Sequence, residues 1–136
     1  MLVLGATVIG ASDAVRAARF WGEALGLTAQ PPKADDGFIN LFDGRGRLQL
    51  SIQRSDEPAP NTPRLHLDLY APDTAGQKRE VTRLLSLGAT TVEWRYPDGA
   101  DFVVLADTEG NRFCVIDNAR APEGFRLDFD RISGRS

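Results

Sequence analysis

The chain reads as an α+β fold of two βαβββ modules, whose mixed, mainly antiparallel sheets would form a shared concave cavity. Three observations predict it. The stretch Phe38-Ile39-Asn40-Leu41-Phe42-Asp43, with Gly46 three residues on, returns as Phe102-Val103-Val104-Leu105-Ala106-Asp107, with Gly110 three residues on. Each copy then enters an apolar segment, so one supersecondary unit is used twice. Ahead of each copy stands a helical period that closes at a glycine, Gly26 in the first and Gly88 in the second. Finally, Leu48 to Gln53 and Leu65 to Tyr70 alternate apolar with polar side chains, the pattern of strands with one buried face.

At 136 residues the chain has the size of one domain. That domain is expected over residues 1–118, with module 1 at about 3–55, a proline-rich linker at 55–63, module 2 at about 64–118 and a tail at 119–136. The formal net charge of -3, with acidic and basic residues interleaved, argues against nucleic-acid and anionic-membrane partners. Met1-Leu2-Val3-Leu4 is too short for a signal peptide, and no apolar run is long enough to span a bilayer. The single cysteine, Cys114, excludes an intramolecular disulfide. A cytoplasmic location is the expectation that follows.

The elements follow in order. Gly5 to Gly10 reads as a strand, and Ala11-Ser12-Asp13 supplies polar caps for a helix from Ala14 to Leu25 that presents Val15, Ala18, Phe20, Trp21, Ala24 and Leu25. Pro31 to Gly37 is a turn-rich loop, and strands at Phe38 to Phe42 and Leu48 to Gln53 make a hairpin around Asp43-Gly44-Arg45-Gly46. The second module has a strand at Leu65 to Tyr70 and a helix at about Thr74 to Leu87. Strands at Thr91 to Arg95, Phe102 to Ala106 and Arg112 to Asp117 complete it, with a turn at Pro97-Asp98-Gly99. The tail alternates weakly through Phe125, Leu127, Phe129 and Ile132, as a segment covering a sheet edge or meeting a partner subunit would.

Alternation sorts the strand residues by face. Leu65, Leu67 and Leu69 should pack on a helix, leaving His66, Asp68 and Tyr70 on the other side, and Leu48, Leu50 and Ile52 likewise oppose Gln49, Ser51 and Gln53. The polar sides form the expected pocket wall. His66 and Asp68 share a face but stand about 7 Å apart along a regular strand, so contact needs one side chain to lean or a water between.

Taken in order, Phe20-Trp21-Gly22-Glu23-Ala24-Leu25-Gly26-Leu27, Leu87-Gly88-Ala89 and Asp107-Thr108-Glu109-Gly110-Asn111 resemble the vicinal oxygen chelate superfamily over roughly residues 3–118. That superfamily includes glyoxalase I, extradiol dioxygenases, fosfomycin-resistance enzymes and bleomycin-binding proteins. His66-Leu67-Asp68-Leu69 and Phe113-Cys114-Val115 are similar to its uncharacterised glyoxalase-like group. The resemblance implies a divalent metal held by His, Gln or Glu from the first and last strand of each module. Those places fall near Gly5, at Gln49, at His66 and at Cys114. Glycine supplies no side chain and a thiol stands for the usual carboxylate, so the resemblance carries the fold further than it carries the metal chemistry.

The residues then leave three readings. The first is a small-molecule binding protein without the usual metal or any cofactor, its organic ligand contacted by Gln49, Ser51, His66, Asp68, Trp94 and Cys114, with no catalytic residue assigned. The second is a metal-dependent lyase, isomerase or dioxygenase using His66 and Gln49. The third is an interaction module with a vestigial cavity. Trp94 and Tyr96 beside the Pro97 turn would form an aromatic rim, Trp21 belongs to the core, and Cys114 reads first as a small buried hydrophobe. The resemblance adds the expectation of a homodimer.

Overall fold

A computed structural model describes residues 1–30 and 37–134. The predicted loop at Pro31 to Gly37 falls, apart from Gly37, outside the described residues. By its internal contacts the chain divides into two compact units, Met1–Asn61 with Asp107–Asn111, and Thr62–Ala106 with Arg112–Ser136.

In the first unit, β1 (Thr7–Ala11), α1 (Ala14–Leu25), β2 (Thr28–Ala29), β3 (Phe38–Phe42) and β4 (Leu48–Arg54) form a helix on a mixed sheet of order β1-β4-β3-β2. Only the β1–β4 pair is parallel, as a strand–helix–hairpin path requires. Local chemistry sets the helix ends. The Asp13 carboxylate accepts from the Arg16 amide at the N-terminus, and Gly26 adopts a left-handed φ of 66° at the C-terminus, its amide donating to Gly22 O. Ala17, Ala18, Phe20, Trp21 and Ala24 bury one side of α1 on Ile39, Leu41, Leu50 and Ile52. Val15 and Leu25, expected on that stripe, are exposed.

The turn Asp107–Asn111 completes this unit. Trp21, 1% exposed, donates from Nε1 to Asp107 Oδ2 at 3.0 Å. Glu109 sits at the start of α1, where its carboxylate accepts from the Ser12 amide and hydroxyl at 2.7 Å each and from the Asp13 amide at 3.1 Å. Arg16 pairs with it at 2.8 Å. An acid at this place also meets the positive end of the helix dipole.

The second unit repeats the plan with β5 (Asp68–Ala71), α2 (Thr74–Leu87), β6 (Thr90–Thr91), β7 (Phe102–Ala106) and β8 (Arg112–Asp117), in sheet order β5-β8-β7-β6. Asp73 caps α2 through the Gly76 amide, and Gly88 closes it at φ 118°. The helix packs on Phe113 and Val115, and buried Gln77 donates to the Val115 carbonyl at 2.9 Å. Beyond β8 a 3-10 turn (Glu123–Phe125) and the short α3 (Phe129–Ile132) follow, with the Asn118 amide side chain bonded both ways to Leu127. Phe125, Leu127 and Ile132 stay exposed.

Three strand expectations are corrected. β1 begins two residues later than Gly5 and ends at Ala11; the second strand of the first βαβββ module, to which the sequence assigned no residues, is the two-residue β2. β5 begins at Asp68 rather than Leu65, and its parallel register sets Asp68 opposite Cys114 on a β8 that starts at Arg112. Leu65 then lies beyond the end of its partner and is 90% exposed instead of packing on a helix. The strand expected at Thr91 to Arg95 shrinks to Thr90–Thr91, since the next edge donor, the Val104 amide, is taken by the Tyr96 hydroxyl at 2.8 Å.

Candidate functional site: a histidine, aspartate and cysteine cluster on the second sheet

The register of two parallel strands builds the site. Asp68 on β5 lies opposite Cys114 on β8, and Val104 of β7 flanks Cys114 on the other side, all on the sheet face that alternation turns away from α2. His66 precedes β5 and so escapes its pleat. Its ring leans onto Asp68, with Nε2 3.0 Å from Oδ1, which replaces the regular-strand separation of about 7 Å by direct contact. The nitrogen, oxygen and sulfur atoms of the three side chains lie within 4.8 Å of one another.

Cys114 is half-buried rather than sealed in a core. Burial pushes its thiol up to a pKa of about 11, and the Asp68 carboxylate adds to the shift by repulsion and by accepting the thiol proton in a hydrogen bond. The group is therefore a neutral thiol at neutral pH. His66 and Asp68 remain open to solvent, their side chains 44% and 48% exposed.

Trp94 lies on the segment after β6, and Arg112 places its guanidinium 5.9 Å from the ring centre. Arg112 was not singled out from sequence. Its signal was its place two residues before Cys114 on one strand, hence on the same face. Tyr96 and Phe102 pack with centroids 5.5 Å apart.

Gln49 and Ser51 belong to the first unit. Leu41 pairs with Leu50 and Phe42 with Leu48, so Gln49 is the extra residue of a β-bulge. Its side-chain amide donates to Asp43 at 3.1 Å. Asp43 organises that turn, and hydrogen bonds led by the Arg47 amide hold its carboxyl below the usual range. The bulge shifts the correspondence between the copies. Val8 pairs with Ser51 as Asp68 pairs with Cys114, so Ser51, not Gln49, is the counterpart of Cys114. Ser51 is 1% exposed and donates to Asn40 at 2.7 Å.

These placements test the superfamily's metal. Counting back along β1, His66 corresponds to Ala6, Asp68 to Val8 and Cys114 to Ser51, and Gln49 is committed to Asp43 on its bulge. The first unit thus offers no good ligand at the carried-over positions. The residues do not fit a hard, oxygen-preferring ion held by two side chains from each module.

A cavity of about 280 Å³ also lies in the first unit, between α1 and β2, with Arg19, Glu23, Leu27, Gln30 and Ile39 in its wall. It holds none of the expected site residues, and Ile39 places it on the helix side of the sheet, opposite Ser51.

Two strand–helix–hairpin units of this order define a protein of the vicinal oxygen chelate type. The chain matches the glyoxalase-like domain over residues 6–116 and belongs to that family. Solved structures of the same fold include a possible glyoxalase from Bacillus cereus, 18% identical over 85% of this chain and 99% of that one, with a TM-score of 0.63. A lactoylglutathione lyase from Agrobacterium tumefaciens is 23% identical, covering 84% and 92% of the two chains at a TM-score of 0.57. A mutant of the fosfomycin resistance protein FosX from Listeria monocytogenes, complexed with manganese(II) and dihydroxypropylphosphonic acid, is 14% identical, covering 94% and 99% at 0.67. At these identities the likeness establishes the fold. No curated protein matches the chain.

Proposed function

We propose that this protein binds a small organic ligand on the second sheet, at His66, Asp68 and Cys114 with Trp94 at the rim, and does so without the family's usual metal centre. The observation that carries the reading is the solvent-open His66–Asp68 pair beside the half-buried Cys114 thiol. It presents a carboxylate, an imidazole and a neutral thiol together, on a face whose neighbours are aromatic. Gln49 and Ser51, engaged by Asp43 and Asn40 within the first unit, stand outside this proposal. Sequestration and ligand sensing both fit a site with no assigned catalytic residue.

A metal-dependent lyase, isomerase or dioxygenase is the second reading, favoured by the closeness of the three donor atoms. A thermal-shift screen of metabolites and drugs, run with a chelator present, tests the first. Binding to the native state raises the melting temperature, and the shift should vanish in Asp68→Asn and His66→Ala. A shift that needs a divalent ion, or survives both substitutions, would overturn it. The native assembly proposed is a homodimer, which sedimentation would report directly.

A further inference from the structure

We infer that the cavity between α1 and β2 is a second binding site, for a small monocarboxylate with an apolar body, held at its charged end by Arg19. The site lies in the first unit, on the helix side of the sheet, and does not rest on the ligand reading of the second sheet.

One stripe of α1 makes the cavity. Val15, Ala18, Arg19 and Gly22 follow at the three- and four-residue spacing that lines side chains up on a single helix face. Ala18 and Gly22 are too small to fill the space beside them. Gly22 also lets the chain turn back closely: the Leu27 amide donates to Gly22 O at 2.8 Å, and a Cβ on Gly22 would press on the Leu27 carbonyl oxygen at 3.1 Å. Leu27, half-buried, and Ile39, 3% exposed, add apolar wall. Val15, found exposed where a core position was expected, is a wall residue of this cavity. A closed apolar cavity of about 150 Å³ takes a benzene ring. The 280 Å³ here therefore accommodates a ring or a branched chain with a charged group attached.

Arg19 decides the charge. Arg16, on the same helix, is paired with Glu109, whereas among the described residues no hydrogen bond or ion pair engages the Arg19 guanidinium. Its planar fork matches a carboxylate through two parallel hydrogen bonds. The Gln30 side chain, just beyond β2, adds an amide to the same wall. Glu23, one helical turn after Arg19, sets a negative charge beside the guanidinium, which favours a single carboxylate over a dianion such as a phosphate ester.

The test uses the full chain, labelled with nitrogen-15, and benzoate as the probe. Benzoate should shift the amides of Val15, Arg19, Gly22, Leu27 and Ala29 along one saturable curve. Benzyl alcohol, which keeps the ring and loses the charge, should bind about tenfold or more weakly, and so should phenyl phosphate as the dianion. Arg19→Met keeps the apolar stem and should weaken benzoate to the same degree, while Ala29→Trp, on an exposed edge position, should fill the cavity and abolish the shifts. His66→Ala should change nothing. The unshifted remainder of each variant's spectrum reports that the fold is kept, and the benzyl alcohol comparison needs no variant. Absence of saturable shifts, benzyl alcohol binding as tightly as benzoate, or undiminished binding in Arg19→Met or Ala29→Trp would each overturn the proposal. Shifts gathered on β5 and β8 instead would overturn it too, while supporting the ligand site of the second sheet.

Discussion

Asp68 reinforces the effect of burial on Cys114. Its carboxylate accepts the Cys114 proton and repels the thiolate, on top of a burial that already favours the neutral thiol, and the sulfur's pKa stands near 11. At pH 8 about one thiol in a thousand is then ionised. Alkylation by iodoacetamide in metal-free buffer should accordingly be slow and rise with pH past 10. Asp68→Asn removes the charge, lowers the pKa and should speed the reaction at pH 8; an unchanged rate would show that burial alone controls the sulfur. His66 and Asp68 were legible in the sequence as residues of one strand face, and Cys114 was placed with them by the family resemblance. Their contact was not, because a residue that has left the pleat obeys no two-residue alternation, and His66 lies before the first paired residue of β5. Gln49 was misaligned with Cys114 for a similar reason. A single bulge moves the register by one, and no residue type in Leu48-Gln49-Leu50 announces it.

Helices and long strands were the legible elements: α1, α2, β3, β7 and β8 lie where periodicity and capping residues set them. The two-residue strands β2 and β6 carry too short a pattern to show a period, and tertiary pairing alone defines them. The start of α1 illustrates how an element draws stability from a distant segment. Burial would raise the Glu109 pKa, but the Ser12 hydroxyl and amide, Arg16 and the Asp13 amide outweigh it and hold the carboxyl at about 2, with its side chain 7% exposed. A depressed folded-state pKa contributes stability above the unfolded value of 4.5, and that contribution is lost as pH falls from there through about 2. Glu109→Gln should lower stability at pH 7 by roughly 1–3 kcal/mol, as loss of hydrogen bonds to a charged group does. Urea unfolding of wild type and variant should converge as pH drops through that window. Curves that stay parallel to pH 2.5 would assign the stabilisation to shape rather than charge.

The turn that supplies Glu109 joins β7 to β8 of the second sheet, yet it packs in the first unit: the chain passes between the units at Ala106–Asp107 and again at Asn111–Arg112. The repeat revealed the copies but not this exchange, since a hydrogen bond across 86 residues, Trp21 to Asp107, leaves no local pattern. The consequence concerns the whole molecule. A chain cut after Asn61 keeps α1 and its sheet but loses the acceptor for Trp21 Nε1, the carboxylate on the Ser12 and Asp13 amides, and the Asn111 side chain that donates to Gly10 O at 2.9 Å. A unit of about 60 residues has little stability to spare against such losses, because small domains bury a small fraction of their surface. Residues 1–61 expressed alone should therefore show solvent-exposed emission from Trp21, the only tryptophan of that fragment, and melt without a cooperative transition, whereas the full chain should unfold cooperatively. A fragment that melted cooperatively with buried-tryptophan emission would mean that the first unit folds without the turn, and that the bonds of Asp107, Glu109 and Asn111 adjust a unit already stable by itself.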